Sequence, residues 1–263
     1  MDLAQQEMNE EVLLSEQGPG GRIEVRQRGS LRSLWLDDGL LQSEIDLAQP
    51  ERLPNPVSRA MLSHLLFYPE PRRVLLAGCG GGGIARWLHA RSPATQGVAV
   101  ELSTRVAELA RSHFEFPGLD SRWELRVGDV RQASLLAGDQ AFDFILVDIA
   151  EGGRSPGWVT GRDFLRDCRN RLSASGVLTV NLIPADAAAF ANALFRLREV
   201  FGHRSVCLSV PGRGNIMLQA FMGRPDLGEV ERGLASNQLR WGLEFDEFLR
   251  RMRRENPAGS GVL

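Results

Sequence analysis

The run Gly78-Cys79-Gly80-Gly81-Gly82-Gly83 constrains this chain more than any other feature, because of what flanks it. Before it, Arg73-Val74-Leu75-Leu76-Ala77 is short and apolar, the pattern of a strand buried on both faces. Residues 84–90 after it read as a helix. A strand that turns through glycines into a helix aims backbone N–H groups at whatever lies above the turn, and lets a ligand approach the main chain. A second buried strand, Gly97-Val98-Ala99-Val100-Glu101, follows about 20 residues later and ends in a carboxylate. In a βαβ unit that carboxylate lands beside the glycine turn, within reach of ribose hydroxyls. The chain is therefore expected to bind a nucleoside. A GxGxxG spacing can be chosen from the run, but a stretch this rich in glycine meets it too easily to indicate a dinucleotide.

The rest of the sequence places this unit in a larger pattern. Residues 1–21 are polar and end in Gly18-Pro19-Gly20-Gly21, which predicts poor order. Residues 22–50 read as a small antiparallel β module, with Asp37-Asp38-Gly39 as a hairpin turn. Residues 51–225 open on a helix over 57–67 and then alternate strand and helix. Strands end at Gly128-Asp129 and at Asp148, and a closing hairpin turns at Pro211-Gly212-Arg213-Gly214. The expectation is an α/β, Rossmann-like fold: a seven-stranded, mostly parallel sheet with helices on both faces, preceded by the β module. Ligands bind outside the carboxyl ends of such strands, where the glycine turn, Glu101, Asp129 and Asp148 all converge. Residues 226–263 read as a helical tail. In it Phe245, Phe248, Leu249 and Met252 form an apolar stripe opposite Arg250, Arg251 and Arg253.

Composition removes several classes of chemistry. Cys79, Cys168 and Cys207 form an odd set without metal-ligand spacing, so neither a disulfide framework nor a metal site is indicated. All 31 basic residues are arginine, which excludes lysine-based catalysis. The net charge of −2 supplies no global field for nucleic acid. No apolar run approaches the roughly 18 residues of a membrane span, and the amino terminus lacks a basic and apolar leader pattern, so a cytoplasmic protein is expected.

From about Leu36 to Phe221 the chain resembles the spermidine synthase (polyamine aminopropyltransferase) family, which shares the fold of class I S-adenosylmethionine-dependent methyltransferases. The motifs run in order: Leu36-Asp37-Asp38-Gly39-Leu40-Leu41-Gln42-Ser43, Met61-Leu62-Ser63-His64, Val100-Glu101-Leu102, Gly128-Asp129, Val147-Asp148 and Gly212-Arg213-Gly214-Asn215. Leu76, two residues before the first glycine, is apolar where ordinary methyltransferases carry an acid. The resemblance implies a sulfonium nucleoside donor, S-adenosylmethionine or its decarboxylated form, held by Gln42, Gly78, Gly80, Gly81, Gly82, Glu101, Asp129 and Asp148. Two positions depart from the family pattern. Gly81 stands where the family loop carries an Asp, and Ser58-Arg59-Ala60 replaces its Tyr-His-Glu.

A sulfonium leaving group needs little activation, so the enzyme must align the nucleophile and take its proton. Asp148, at a strand end beside the glycine turn, is the candidate base, and Glu151 is placed to orient an amine. Arg59 and His64 are the candidate acceptor contacts, and an Arg59 in the cleft would favour a small anionic or zwitterionic acceptor over a dication. The leading reading is transfer of an aminopropyl or related alkyl group to a small-molecule amine. Methyl transfer from the same pocket and a non-catalytic nucleoside-binding role remain as alternatives. A homodimer is expected from the resemblance.

Overall fold

Four antiparallel strands open the described chain as a meander: β1 (Glu11–Gly18), β2 (Gly21–Arg28), β3 (Leu31–Leu36) and β4 (Leu40–Asp46). The computed structural model describes residues 10–18, 21–36, 39–118, 122–136 and 141–263. Residues 1–9 and the predicted turn at Asp37-Asp38 lie outside them. The prediction of poor order up to residue 21 fails for 11–18. That segment is β1, hydrogen-bonded along β2 from Glu11↔Gln27 to Gly18↔Gly21. It was hard to read because β1 is an edge strand with mostly exposed side chains, so no buried alternation marks it.

The second sheet is built from the alternating segment. Helix α1 (Pro56–Met61) is capped by Asn55, whose side chain accepts from the Val57 amide at 2.9 Å, and it tightens into a 3₁₀ turn over Leu62–Leu66. There follow β5 (Arg73–Ala77), α2 (Gly83–Arg91), β6 (Gln96–Glu101), α3 (Thr104–His113), β7 (Trp123–Val127), β8 (Phe142–Val147), α4 (Arg162–Arg171), β9 (Leu172–Leu182) and α5 (Ala187–Phe201). The hairpin β10 (Ser205–Ser209) and β11 (Ile216–Phe221) and the tail helices α6 (Leu227–Trp241) and α7 (Phe245–Glu255) complete it. Strand order is β10-β11-β9-β8-β5-β6-β7. The five strands from β9 to β7 are parallel, and the β10–β11 hairpin closes the β9 edge antiparallel.

Period-two alternation divides β5 between two cores. Val74 and Leu76 enter the layer beneath α1, α2, α6 and α7, and Leu75 and Ala77 enter the layer beneath α4 and α5. Each fully buried Val, Leu or Phe in these layers contributes about 1.5–3 kcal/mol. The predicted tail stripe (Phe245, Phe248, Leu249, Met252) is buried in the first layer. Arg251 departs from its expected solvent face: it is buried, 3.6 Å from Glu255 and hydrogen-bonded to Ser209. The β module has its own small core, Ile23, Val25, Leu34 and Ile45, closed by Val106, Leu109 and Phe114 from α3 and its end. Among the described residues, no helix is long and apolar enough to cross a membrane.

After β5 the chain winds toward β7, and from β8 it winds the other way. The strand order therefore reverses between β5 and β8, and a crevice opens above their carboxyl ends.

A two-lobed candidate active site

Gly78 follows β5 and Asp148 follows β8, so the two straddle that crevice. Gly78 has φ +83°, and a Cβ there would overlap the Asp148 carbonyl, so only glycine allows this approach. The cleft has two lobes. Gln42, Gly78, Gly80, Asp148 and Gly153 line both and form the waist between them.

The larger lobe, about 380 Å³, lies over β6 and β7. Glu101 ends β6 within it. Its Oε2 accepts from the backbone N–H groups of Cys79 at 3.2 Å and Gly80 at 3.3 Å, and its Oε1 accepts from that of Ser103 at 3.1 Å. Backbone donors thus fix the carboxylate while lone pairs still face the lobe. Ser103 also caps α3, accepting from the Val106 amide at 3.2 Å. Asp129 is gripped by Arg131, whose Nε lies 2.9 and 3.0 Å from its two oxygens, and this pairing holds the carboxyl below its usual range. The Arg131 guanidinium in turn stacks 4.5 Å from the centre of the Trp158 ring. Arg131 and Trp158 were not predicted. Their order and spacing carry no motif, and only the fold brings them together.

The smaller lobe, about 270 Å³, is walled by Leu53, Val57, Met61, Ile84, Leu146 and Ile183. Its charged lining groups are Asp148, Glu44 and Arg213. Glu44 lies two residues from Gln42 on β4 and so shares its face, a period-two signal that could have singled it out. Asn181, one residue from the end of β9, lies here. Its Nδ2 donates to Asp148 Oδ1 at 2.7 Å, and its Oδ1 accepts from Asn215 Nδ2 at 2.9 Å. Water reaches Asp148 through the cleft, yet protein encloses the carboxyl on its other sides. That seclusion raises its pKa, and the Asn181 hydrogen bond opposes the rise.

Several predicted site residues lie elsewhere. Arg59 turns away from the cleft: its Nε is 2.9 Å from Glu244, and its Nη1 donates to the carbonyls of Leu53 and Pro54. It braces the wall segment against the tail, and the Coulomb argument for an anionic acceptor falls with it. His64 is not an acceptor contact either. It is 1% exposed, its ring lies 4.1 Å from Phe144, and its Nδ1 is 2.9 Å from the Met61 carbonyl. Burial pushes its pKa down to about 3, so it stays neutral. A bridge from Glu151 to Arg154 closes the Gly152-Gly153 turn, and Glu151 lines the larger lobe and not the smaller one, which its neighbours Ala150 and Gly153 reach instead. It is not placed to share an amine there with Asp148. Gly81 and Gly82 are buried behind the turn. A Cβ on Gly81 would meet Ser43 Oγ at 2.8 Å and Phe114 at 3.0 Å, and one on Gly82 would meet Phe116 at 2.6 Å.

The comparisons with known proteins agree with this architecture. A methyltransferase-domain family model matches residues 74–176. A polyamine aminopropyltransferase from Chromobacterium violaceum is 33% identical over 245 residues, spanning 92% of this chain and 93% of its own length. Among solved structures, a probable spermidine synthase from Corynebacterium glutamicum superposes with a TM-score of 0.70 at 24% identity, over 84% of this chain and 86% of that one. A spermidine synthase in complex with the transition-state analogue AdoDATO gives 0.67 at 20% identity, over 92% and 83%. Those two likenesses concern the fold, whereas the sequence relationship spans both chains nearly end to end: this protein belongs to the polyamine aminopropyltransferase family.

Proposed function

We propose that the protein transfers an aminopropyl group from decarboxylated S-adenosylmethionine to an aliphatic amine, with Asp148 as the base. The observation that carries this reading is the placement of Asp148 at the waist, open to both lobes. In it, the larger lobe takes the nucleoside: Glu101 accepts from the ribose hydroxyls, Asp129 and the Arg131–Trp158 stack border the adenine, and the Gly78–Gly80 turn with Gln42 meets the sulfonium end. The smaller lobe takes the acceptor. Apolar walls suit a methylene chain, while Asp148 and Glu44 supply carboxylates for two ammonium groups.

Asp148 Oδ2 holds the attacking nitrogen beside the carbon bonded to sulfur, and the nitrogen must shed a proton from its ammonium form to expose its lone pair. The nitrogen lone pair forms the new C–N bond as the C–S bond breaks. The electron pair stays on sulfur, so methylthioadenosine leaves as a neutral thioether. Asp148 takes that proton before the attack, which frees the lone pair, and the seclusion that raises its proton affinity favours the transfer. Holding both reactants at one waist converts a bimolecular encounter into an internal one.

Methyl transfer is the second reading. Gly81, packed against Ser43 and Phe114, removes the carboxylate that the family uses toward the decarboxylated donor. One experiment separates the two. The protein is incubated with each donor and a pool of amines, and the nucleoside products are followed by mass. Methylthioadenosine that is lost in Asp148→Asn supports aminopropyl transfer. S-adenosylhomocysteine supports methyl transfer, and neither product despite nucleoside binding indicates a non-catalytic protein.

A further inference from the structure

We infer that Asn181 and Asn215 are positioning residues: a two-amide relay that fixes which oxygen of Asp148 faces the substrate. The inference rests on the transferase reading for its catalytic meaning. Its geometry stands independently.

The relay crosses three neighbouring strands. Val147 on β8 pairs with Val180 on β9, which brings the next residues, Asp148 and Asn181, side by side. Asn215 immediately precedes β11, which runs antiparallel to β9 from Ile216↔Leu182. Asn181 is 5% exposed, so its amide has little access to water. Asn215 Nδ2 occupies Asn181 Oδ1 at 2.9 Å, which leaves Asn181 Nδ2 to face Asp148 Oδ1 at 2.7 Å. Turning the Asn181 amide alone would set oxygen against carboxylate oxygen and N–H against N–H. Turning both amides would present Asn181 Oδ1 to Asp148, an arrangement that suits only a protonated acid. The observed chain of donors is therefore the one an ionised base requires. Because Asn181 is neutral, it orients the carboxylate without cancelling its charge, as an arginine at that place would.

A second contact holds the two strand ends together. Ser155 Oγ donates to the Asn181 carbonyl at 3.2 Å and accepts from the Ile183 amide at 2.8 Å, which clips the loop after Asp148 to the end of β9. The other charged groups on the cavity walls are Glu44 and Arg213 in one lobe and Glu101, Asp129, Arg131 and Glu151 in the other. Among the described residues, Asn181 is the one side chain that hydrogen-bonds the Asp148 carboxylate.

The test has two readouts. The first is titration of the Asp148 carboxyl by ¹³C NMR in the unliganded protein, assigned with Asp148→Asn. The second is the acidic limb of kcat/KM against pH for methylthioadenosine release. Asn181→Leu should raise both by about one pH unit, a tenfold change in proton affinity. Asn215→Ala should shift them in the same direction by less, about threefold in affinity, and should add nothing on top of Asn181→Leu, because it acts through Asn181. If Asn181→Leu does not fold, the Asn215→Ala titration decides alone. An Asp148 titration unmoved in these variants, or shifts that add in the double variant, would overturn the relay. Shifts in the NMR titration without transfer from any donor would retain the relay and reject the transferase reading. Transfer with unmoved titrations would do the reverse.

Discussion

Replacing Glu101 by glutamine gives a quantitative test of the nucleoside lobe. The carboxylate accepts three backbone N–H groups, two on Oε2 and one on Oε1. A glutamine amide would keep its oxygen toward Cys79 and Gly80 and turn its NH₂ toward the Ser103 N–H, where donor meets donor. One backbone N–H then loses its acceptor, a cost of about 1 kcal/mol in stability. The ribose loses more. A hydroxyl donating to a charged acceptor is worth about 1.5–3 kcal/mol, and one of the two oxygens facing the diol is gone. A loss of about 2 kcal/mol in binding corresponds to a Kd about 30-fold weaker. Calorimetric titration of methylthioadenosine into the wild type and Glu101→Gln, at one salt concentration, measures this directly. A variant Kd within threefold of the wild type, with the fold intact by circular dichroism, would mean that Glu101 does not hold the ribose.

Gly81→Asp should not restore the family's carboxylate. Its Cβ would meet Ser43 and Phe114, so the expected outcome is a loss of about 1–3 kcal/mol in thermal unfolding with no gain in affinity for the decarboxylated donor; tighter binding would refute the packing argument. His64 sets a pH dependence of stability. Its pKa falls from an ordinary 6.5 to about 3 on folding, so stability is full above pH 6.5 and declines by about 1.4 kcal/mol per unit as pH drops toward 3. Urea denaturation between pH 7 and 4.5 should show that slope in the wild type and a shallower one in His64→Asn. Arg59→Ala should lower stability by about 1 kcal/mol through loss of the Glu244 and backbone contacts, and leave the rank order of amine acceptors unchanged; a shift toward dications would put Arg59 back in the cleft. Light scattering tests the homodimer, and a monomer across micromolar concentrations would reject it.

What the sequence disclosed was local. The β5–turn–α2 unit and Glu101 could be read because each depends on neighbours within a few dozen residues. Asp129 and Asp148 were found because strand ends are legible from apolar runs. Arg59 and His64 mislead because the resemblance places their segment against the acceptor, and a motif's position does not say where a side chain points. The backbone tightens to a 3₁₀ turn at Leu62, Arg59 reaches a tail residue 185 positions away, and His64 is packed under Phe144. Glu151 misleads because proximity in sequence to Asp148 is not proximity in the smaller lobe. Asn181 leaves no signal, and Asn215 stands out only as the end of the Gly212–Asn215 motif, since a single polar residue near a strand terminus acquires its role only from what the neighbouring strands bring beside it.

Beside the strand-end residues Leu76, Leu146, Asp148 and Asn181, the smaller lobe, the one proposed for the acceptor, takes the rest of its wall largely from three pieces outside the parallel strands: β4 of the module, the wall around Leu53–Ser58, and the Arg213–Asn215 turn. Those three pieces carry neither Glu101 nor Asp129, which line the larger lobe alone. The two halves of the site can therefore accumulate change at different rates. On the proposed assignment of the lobes, substitutions on the three pieces alter what is modified while the larger lobe keeps its geometry, so this scaffold can acquire new acceptors without first relearning its donor.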